Sequence, residues 1–339
     1  MKYAVYGAGS LGLIFAAYLA NNNEQFDLID RNPKSISAIK EKGISVVGNI
    51  KMHADVSCFL DSEVNDKYDI IFLYTKQLNN LDIIKKISKF LNEDGVICTM
   101  QNGLPEKDVA EVIGEHRTFG ATVGWGATRL DYGVSELTSD PGREYMSFNF
   151  GSYDGHKDKY FDEIVRILNI MGKTIIEENF IGGRWTKLLV NSAFSGMSTV
   201  CGSTFGKTAK NMKSRKIIQA IIKECIDVAK IAGIKCEPIQ GKDVVKLMNY
   251  KNKFQKRLSL MIIPLAIRTH KSLTPSMLQD YKKGIPCEID YINGTVCEYG
   301  RKYNVPTPMN DKVVEIIHKF ESGELKPSFE NVKLFNKGE

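Results

Sequence analysis

Nothing in this sequence is long and apolar enough to cross a bilayer. No hydrophobic run approaches the roughly 20 residues that a spanning helix needs. There is no CxxC pair, and the seven cysteines (Cys58, Cys98, Cys201, Cys225, Cys236, Cys287 and Cys297) are odd in number and far apart. That argues against a disulfide framework or a cysteine-based zinc site and in favour of a reducing compartment, so no metal is expected. A basic tail is missing, as is any basic stripe interleaved with aromatic residues, so nucleic acid is not an expected partner. The charge imbalance is small: 46 Lys and Arg against 40 Asp and Glu give +6. It reads as a solvated surface with a mild attraction for anionic ligands. The chain opens directly on a buried-strand pattern at 2–6, which leads to the expectation of no leader peptide. The sequon Asn293-Gly294-Thr295 then has no consequence, because a cytoplasmic protein does not meet the glycosylation machinery. Internal repeats and low-complexity tracts are also lacking.

What is present suffices for two domains. A chain of 339 residues, 43% hydrophobic and 25% charged, can build a core in each half without staples. In the first half, short apolar runs alternate with helical patterns. Strands are predicted over 3–6, 25–30, 69–74 and 95–100, and helices over 11–20, 35–42, 80–91 and 105–113. The stretch 118–150 reads as further strands that close the sheet. This rhythm predicts a doubly wound, largely parallel sheet. From about 181 the texture changes to helical patterns over 185–198, 214–232, 242–249 and 288–303, with no comparable strands. The expected fold class is therefore α/β, with an N-terminal dinucleotide-binding domain over 1–180 and a C-terminal all-helical domain over 181–339. Gly182-Gly183 is read as punctuation before the first helix of the second domain, and the polar tail after Ser322 as peripheral.

Gly7-Ala8-Gly9-Ser10-Leu11-Gly12 fits G-x-G-x-x-G. Alone the pattern is weak, but here it follows a predicted strand and opens a predicted helix at the start of a βαβ unit. In a Rossmann fold the first glycine makes the tight turn, the second lets backbone approach a pyrophosphate, and the third lets helix and strand pack closely. The helix N-terminus then offers N–H groups and positive dipole to the phosphates. The second strand ends at Asp30-Arg31. An acidic residue there accepts a ribose 2′-OH and favours NAD, whereas an arginine neutralises the 2′-phosphate of NADP. The chain carries both, and Arg31 also reads as a plain surface residue. NADP(H) is the preferred expectation, with NAD(H) left open.

In the second half, Lys187, Asn191 and Ser195 are spaced four apart and share one helix face. A lysine among apolar residues is usually a snorkelling surface side chain; alternatively it faces a ligand. Ser276 after Pro275 reads as a helix cap, and Glu288 as a first-turn carboxylate, when each is taken singly.

Together these segments resemble the ketopantoate reductase family (2-dehydropantoate 2-reductases). The resemblance rests on GAGSLG at the start, Lys76 after IIFLYT, QNG at 101–103, WTKLLVN at 185–191, and SMLQD with EIDYING over 276–294, in family order over nearly the whole chain. It implies a Rossmann domain and a helical domain with the active site in the cleft between them. It further implies that Lys187 is the proton donor and that Glu288 assists it and contacts cofactor. Asn102 would touch both nicotinamide and substrate, Asn191 and Ser276 would bind substrate, and Lys76 would bind cofactor. Ser195 stands where the family often has an asparagine, and a second family asparagine aligns near Phe205. Both departures suit a less polar substrate. The expected activity is NADPH-dependent reduction of 2-dehydropantoate to (R)-pantoate, in pantothenate and coenzyme A biosynthesis. The alternative is an NAD-dependent D-2-hydroxyacid dehydrogenase of the same family acting on branched or aromatic 2-oxo acids. A non-catalytic dinucleotide sensor is a third reading, against which Lys187 and Glu288 speak. The expected partner is a small 2-oxo acid, with neither nucleic acid nor membrane, and a homodimer is the assembly the reading allows.

Overall fold

The computed structural model describes residues 1–238 and 243–336. The chain forms two compact units: Met1–Gln101 with Pro105–Phe180, and Asn102–Leu104 with the chain from Ile181 onward. No helix among the described residues is long and apolar enough to cross a membrane.

The first unit contains β1 (Tyr3–Tyr6), α1 (Ser10–Asn21), β2 (Phe26–Asp30), α2 (Pro33–Lys42), β3 (Ile44–Gly48), β4 (Met52–Ala54), β5 (Cys58–Leu60) and β6 (Tyr68–Leu73). It continues with α3 (Asn80–Ile87), β7 (Leu91–Thr99), α4 (Glu106–Ile113), β8 (Thr118–Val123), β9 (Ala127–Asp131), β10 (Val134–Leu137), β11 (Phe148–Ser152), α5 (Lys159–Met171) and β12 (Thr174–Ile176). Eight strands form one sheet in the order β12-β11-β8-β7-β6-β1-β2-β5, parallel except where β11 meets β8. Central β1 is covered on both faces, which is why it reads as an unbroken apolar run rather than an alternation. Val5 packs with Phe15, Phe72 and Phe148 on one face, while Ala4 and Tyr6 pack with Ile71, Leu73 and Ile84 on the other.

The stretch read as closing that sheet does only part of this. β8 and β11 join it, but β9 and β10 leave to form a second sheet, β4-β3-β10-β9. The cause lies in α1. Its residues Leu13, Ile14, Phe15, Ala16, Ala17 and Leu19 are all fully buried, so the helix is apolar all round and needs cover on two sides. The main sheet supplies one side and the small sheet the other: α1 packs on β3, β4, β9 and β10, and the Ser135 hydroxyl donates to the Ser10 carbonyl at 2.8 Å. The helix predicted over 80–91 stops at Ile87, passes through a 3₁₀ turn, and gives way to β7 at Leu91.

The second unit is helical: α6 (Phe180–Val190), a π-helical segment (Asn191–Gly196), α7 (Met197–Val200), α8 (Phe205–Lys210), α9 (Met212–Ile231), α10 (Val244–Met248), α11 (Lys253–Ala266), α12 (Ser276–Lys282), α13 (Asn293–Lys302) and α14 (Pro308–Glu321). Its centre is α9, capped by the Asn211 side chain, which accepts from the Lys213 and Ser214 amides. Its buried face carries Ile218, Ile221, Ile222, Cys225 and Val228. Trp185 is fully buried, donates Nε1–H to the Cys225 carbonyl at 3.0 Å, and meets Tyr299 edge-on at 5.1 Å. Gly182 and Gly183 do not precede the first helix; they lie inside α6, where the Gly182 carbonyl accepts the Thr186 hydroxyl at 2.9 Å. The helix predicted over 288–303 is broken at Ile292, whose φ of −111° and ψ of −90° are not helical. The one over 242–249 is Val244–Met248; residue 242 lies outside the described residues.

The tail is not peripheral. A 3₁₀ segment, Phe329–Asn336, buries Val332 in the core of this unit, and the Val200 carbonyl accepts both the Ser328 amide at 3.0 Å and the Asn331 side chain at 3.1 Å. Val332→Asp is therefore expected to destabilise the protein by about 3 kcal/mol or more, because it buries an unpaired charge. Urea unfolding measures this; a tail lying on the surface would change stability by no more than about 0.5 kcal/mol.

Candidate functional site

Gly7 has a φ of +116°, and a Cβ there would lie 2.9 Å from the Thr75 nitrogen, so both backbone conformation and space require glycine. A Cβ on Gly12 would fall 2.0 Å from the Gly7 carbonyl oxygen, which fixes how closely α1 approaches β1. At Gly9 a Cβ would meet nothing within 4 Å. Gly9 is also the cap residue of α1 and offers no side-chain bond to the helix. The turn thus opens uncapped first-turn N–H groups onto a clear approach, a cradle that fits a pyrophosphate. Ala8, Ser10 and Leu11 complete it, and Ser10 and Leu11 are half-buried.

Asp30 holds this turn from the end of β2. One carboxylate oxygen accepts the Ala8 amide at 2.6 Å and the other the Asn32 amide at 2.7 Å. Both oxygens are engaged by backbone, whereas the neighbouring Arg31 is exposed. Arg31 lines a depression of about 390 Å³ with Tyr6, Asp61, Asn79, Asp82 and Lys86. Within it Lys86 is paired with Asp61 at 2.6 Å.

Lys76 follows β6, half-buried. Gln101, which opens the QNG turn, is held by buried amides: its Nε2 donates to Asn80 Oδ1 at 2.9 Å, and Asn80 in turn donates to Asp108 at 2.9 Å. Gly103 supplies the left-handed φ of +82° that turns the chain. Asn102 between them is half-buried and groups with the second unit, as does Leu104, which packs in the core that contains Trp185.

In the second unit, Lys187, Asn191 and Ser195 are all half-buried, while Leu188, Leu189, Ser192, Ala193, Phe194 and Gly196 are buried. The three polar side chains therefore occupy the accessible line of an otherwise core-bound helix. An α-helix drifts by about 40° over four residues. The π segment from Asn191 to Gly196, with its wider i→i+5 turn, rotates less per residue and counters that drift. No sequence pattern announced this change of helix type.

The π segment is braced by residues that the sequence reading did not single out as a set. Asn293, fully buried, donates from Nδ2 to the Ser192 carbonyl at 3.2 Å and to Asn310 Oδ1 at 2.9 Å. The Asn310 side chain donates to Glu224 at 2.7 Å, and Glu224 also accepts the Met309 and Asn310 amides at 2.8 and 3.0 Å. A buried polar chain thus runs from Glu224 on α9 to the backbone beside Asn191. Gly196 has to be small, because a Cβ there would lie 2.8 Å from Asn293 Oδ1.

Ser276 is not a helix cap. Pro275 holds that position, and Ser276 is the exposed first residue of α12, which packs against the π segment and α7. Glu288 is half-buried and opens the 3₁₀ turn Ile289–Tyr291. The two segments are tied by Cys287, whose Sγ donates to the Met277 carbonyl at 3.3 Å and whose amide donates to Glu321 at 2.7 Å. Phe205 is buried against Phe194 at 5.9 Å, so its ring belongs to the core and presents little surface to a ligand.

A glycine turn of this geometry on a doubly wound sheet, followed by a helical unit with a polar line, defines a dinucleotide-binding oxidoreductase architecture. Residues 3–152 match the family model for ketopantoate reductase PanE/ApbA, and residues 179–321 match that for the ketopantoate reductase PanE/ApbA C-terminal region. The chain belongs to the ketopantoate reductase family. Among curated relatives, a 2-dehydropantoate 2-reductase from Pyrococcus abyssi is 29% identical over 315 residues, covering 91% of this chain and 94% of that one. One from Lactococcus lactis is 26% identical, covering 94% and 97%. Among solved structures, a D-mandelate dehydrogenase with NADH and anilino(oxo)acetate superposes with a TM-score of 0.81 at 24% identity, over 95% of this chain and 99% of that one. A PanE/ApbA family ketopantoate reductase from Ralstonia eutropha gives 0.80 at 20%, over 96% and 99%. The two structures share the fold.

Glu224 makes the buried chain pH-sensitive. Burial raises its carboxyl from 4.5 to about 7, despite the hydrogen bonds from Met309 and Asn310 that favour the charged form. Between those values the folded protein keeps a proton that the unfolded chain has lost. Stability is therefore expected to fall as pH rises from about 4.5 to about 7, by roughly 3 kcal/mol. Urea midpoints across that range check the slope, which Glu224→Gln is expected to flatten; an unchanged slope in the variant assigns it to other groups.

Proposed function

We propose that the protein reduces 2-dehydropantoate to (R)-pantoate with NADPH. The observation that carries this reading is the line Lys187–Asn191–Ser195, the partly accessible polar side chains of a helix otherwise packed into the core. The family membership and the two 2-dehydropantoate 2-reductase relatives support the substrate class.

The glycine turn would hold the pyrophosphate on the N–H groups of α1, with Lys76 adding a cation to the cofactor phosphates. Arg31 would face the 2′-phosphate. This preference for NADPH is supported by Asp30, whose two oxygens are both taken by backbone amides. The bound nicotinamide supplies a hydride to the ketone carbon. As charge grows on the ketone oxygen, the Lys187 ammonium stabilises it and hands over a proton from Nζ. Asn191 and Ser195 donate hydrogen bonds that orient the substrate, Ser276 donates to its carboxylate, and Asn102 aligns substrate with cofactor. Glu288 positions the lysine. The seven cysteines, all free, suit a cytoplasmic location.

Lys187→Ala is expected to lower kcat about a hundredfold or more while leaving dinucleotide affinity nearly unchanged. Single-turnover NADPH oxidation measures it, and near-normal turnover would remove Lys187 from the mechanism.

The second reading is a D-2-hydroxyacid dehydrogenase for branched or aromatic 2-oxo acids that uses NAD. Ser195, a hydroxyl in place of an amide on the accessible line, favours it. The two readings are separated by kcat/KM for ketopantoate and phenylglyoxylate, each with NADPH and NADH. We expect ketopantoate with NADPH to lead, and Arg31→Ala to erode the NADPH preference about tenfold or more. A lead for the aromatic acid with NADH, unaffected by Arg31→Ala, decides for the second reading.

A further inference from the structure

Two of the five histidines in the chain meet in the first unit, apart from every residue assigned above. His116 sits in the 3₁₀ turn that leads into β8, and His156 lies in the loop between β11 and α5. β8 and β11 pair antiparallel, with Phe119 opposite Ser152, so these two segments leave the same end of the ladder side by side. The imidazole rings stack with centroids 3.7 Å apart and planes at 29°.

Their hydrogen bonds give both rings the same orientation. Asp154 faces Nδ1 of His116 at 3.2 Å through one carboxylate oxygen and Nδ1 of His156 through the other. A carboxylate only accepts, so in the neutral form of each ring the proton sits on Nδ1 and the lone pair on Nε2. The His156 Nε2 is buried and makes no hydrogen bond among the described residues. It lies 3.8 Å from Oδ2 of Asp158. The other oxygen of Asp158 caps α5, accepting the Tyr160 and Phe161 amides at 2.9 and 3.0 Å, so this carboxylate is fixed in place. The Ser152 hydroxyl donates to the His156 carbonyl at 2.6 Å and holds that loop as well.

We propose that His116, His156 and Asp158 bind a divalent transition metal, with zinc the best match, and that Asp154 orients both histidines. One ligand atom from each of the three residues lies within 4.8 Å of the others. Zinc–nitrogen bonds of about 2.0–2.1 Å require ligand atoms roughly 3.4 Å apart. Closing the difference asks for side-chain movement, and His116, with its side chain 70% exposed, is the most exposed of the three. Two imidazoles and a carboxylate suit zinc, copper or nickel rather than magnesium or calcium, which prefer all-oxygen shells. A carboxylate on the far nitrogen of a ligating histidine is the outer-shell partner that such sites use. Exposure of His116 leaves the fourth position to water. The metal would clip the start of β8 to the start of α5, segments that lie about forty residues apart in sequence.

The test uses the full chain, stripped with chelator and dialysed. Zinc titration by calorimetry is expected to show one saturable site, and zinc to raise the melting temperature. Co²⁺ in the same protein is expected to give the visible absorption of a four-coordinate centre. His116→Gln alters an exposed side chain and should fold normally; it should weaken binding by at least a hundredfold. Asp154→Asn should weaken it about ten- to a hundredfold, as loss of an outer-shell partner does. His53→Ala, remote from the cluster, should bind as the wild type does. Absence of saturable binding at millimolar zinc, or equal binding by wild type and His116→Gln, overturns the proposal and leaves the cluster as a hydrogen-bonded histidine pair.

Discussion

The first helix of the chain lies so close to the first strand that no side chain fits between them. A methyl group on Gly12 would sit 2.0 Å from the Gly7 carbonyl, closer than any non-bonded carbon and oxygen approach. That contact sets where the N-terminus of α1 falls relative to the strand ends, and with it the direction of its first N–H groups. Asp30 completes the arrangement by taking the Ala8 amide from the adjacent strand. Because α1 is then enclosed on both sides, the small second sheet becomes a requirement of the same packing rather than an ornament on it. The glycine motif, the helix that follows it and the strands β3, β4, β9 and β10 form one mechanical unit.

The second unit solves a different problem. Its chemistry-bearing helix has to be core-bound on most of its circumference and still present a line of polar groups. The π segment does this, and it needs partners for backbone carbonyls that an α-helix would satisfy internally. Asn293 supplies one of them at Ser192, Asn310 holds Asn293, and Glu224 holds Asn310. A buried carboxyl is an expensive anchor, and burial accordingly pushes it up to about 7. The chain from Glu224 to Ser192 keeps the helix in one register, although Asn293 Oδ1 within it makes no hydrogen bond among the described residues.

Legibility in the sequence tracked how local each feature is. GAGSLG, the apolar strands and the amphipathic pattern of α9 are decided within a few residues, and they appear in the structure at the expected places. The same-face spacing of Lys187, Asn191 and Ser195 was legible too, but not the π segment that preserves it. Ser276 illustrates the limit of local rules: a serine after a proline matches a cap, yet Pro275 takes that position because α12 starts at Ser276. Phe205 aligned with a pocket position, but its ring is core against Phe194. The tail over 329–336 looked polar because only some of its residues point inward, and Val332 is among those that do.

By itself the sequence determined the doubly wound sheet, the change to helices near 181 and the glycine turn, because strand and helix periods and the steric needs of glycine act over a few residues. It also carried the motifs that place the chain in its family. Only the tertiary structure decided that β9 and β10 form a separate sheet, that Asp30 spends its oxygens on backbone, and that Glu224, Asn310 and Asn293 brace one helix. It alone brought His116 beside His156. These depend on contacts between residues from about twenty to about a hundred positions apart, where chain entropy and packing, rather than local preference, choose the partner.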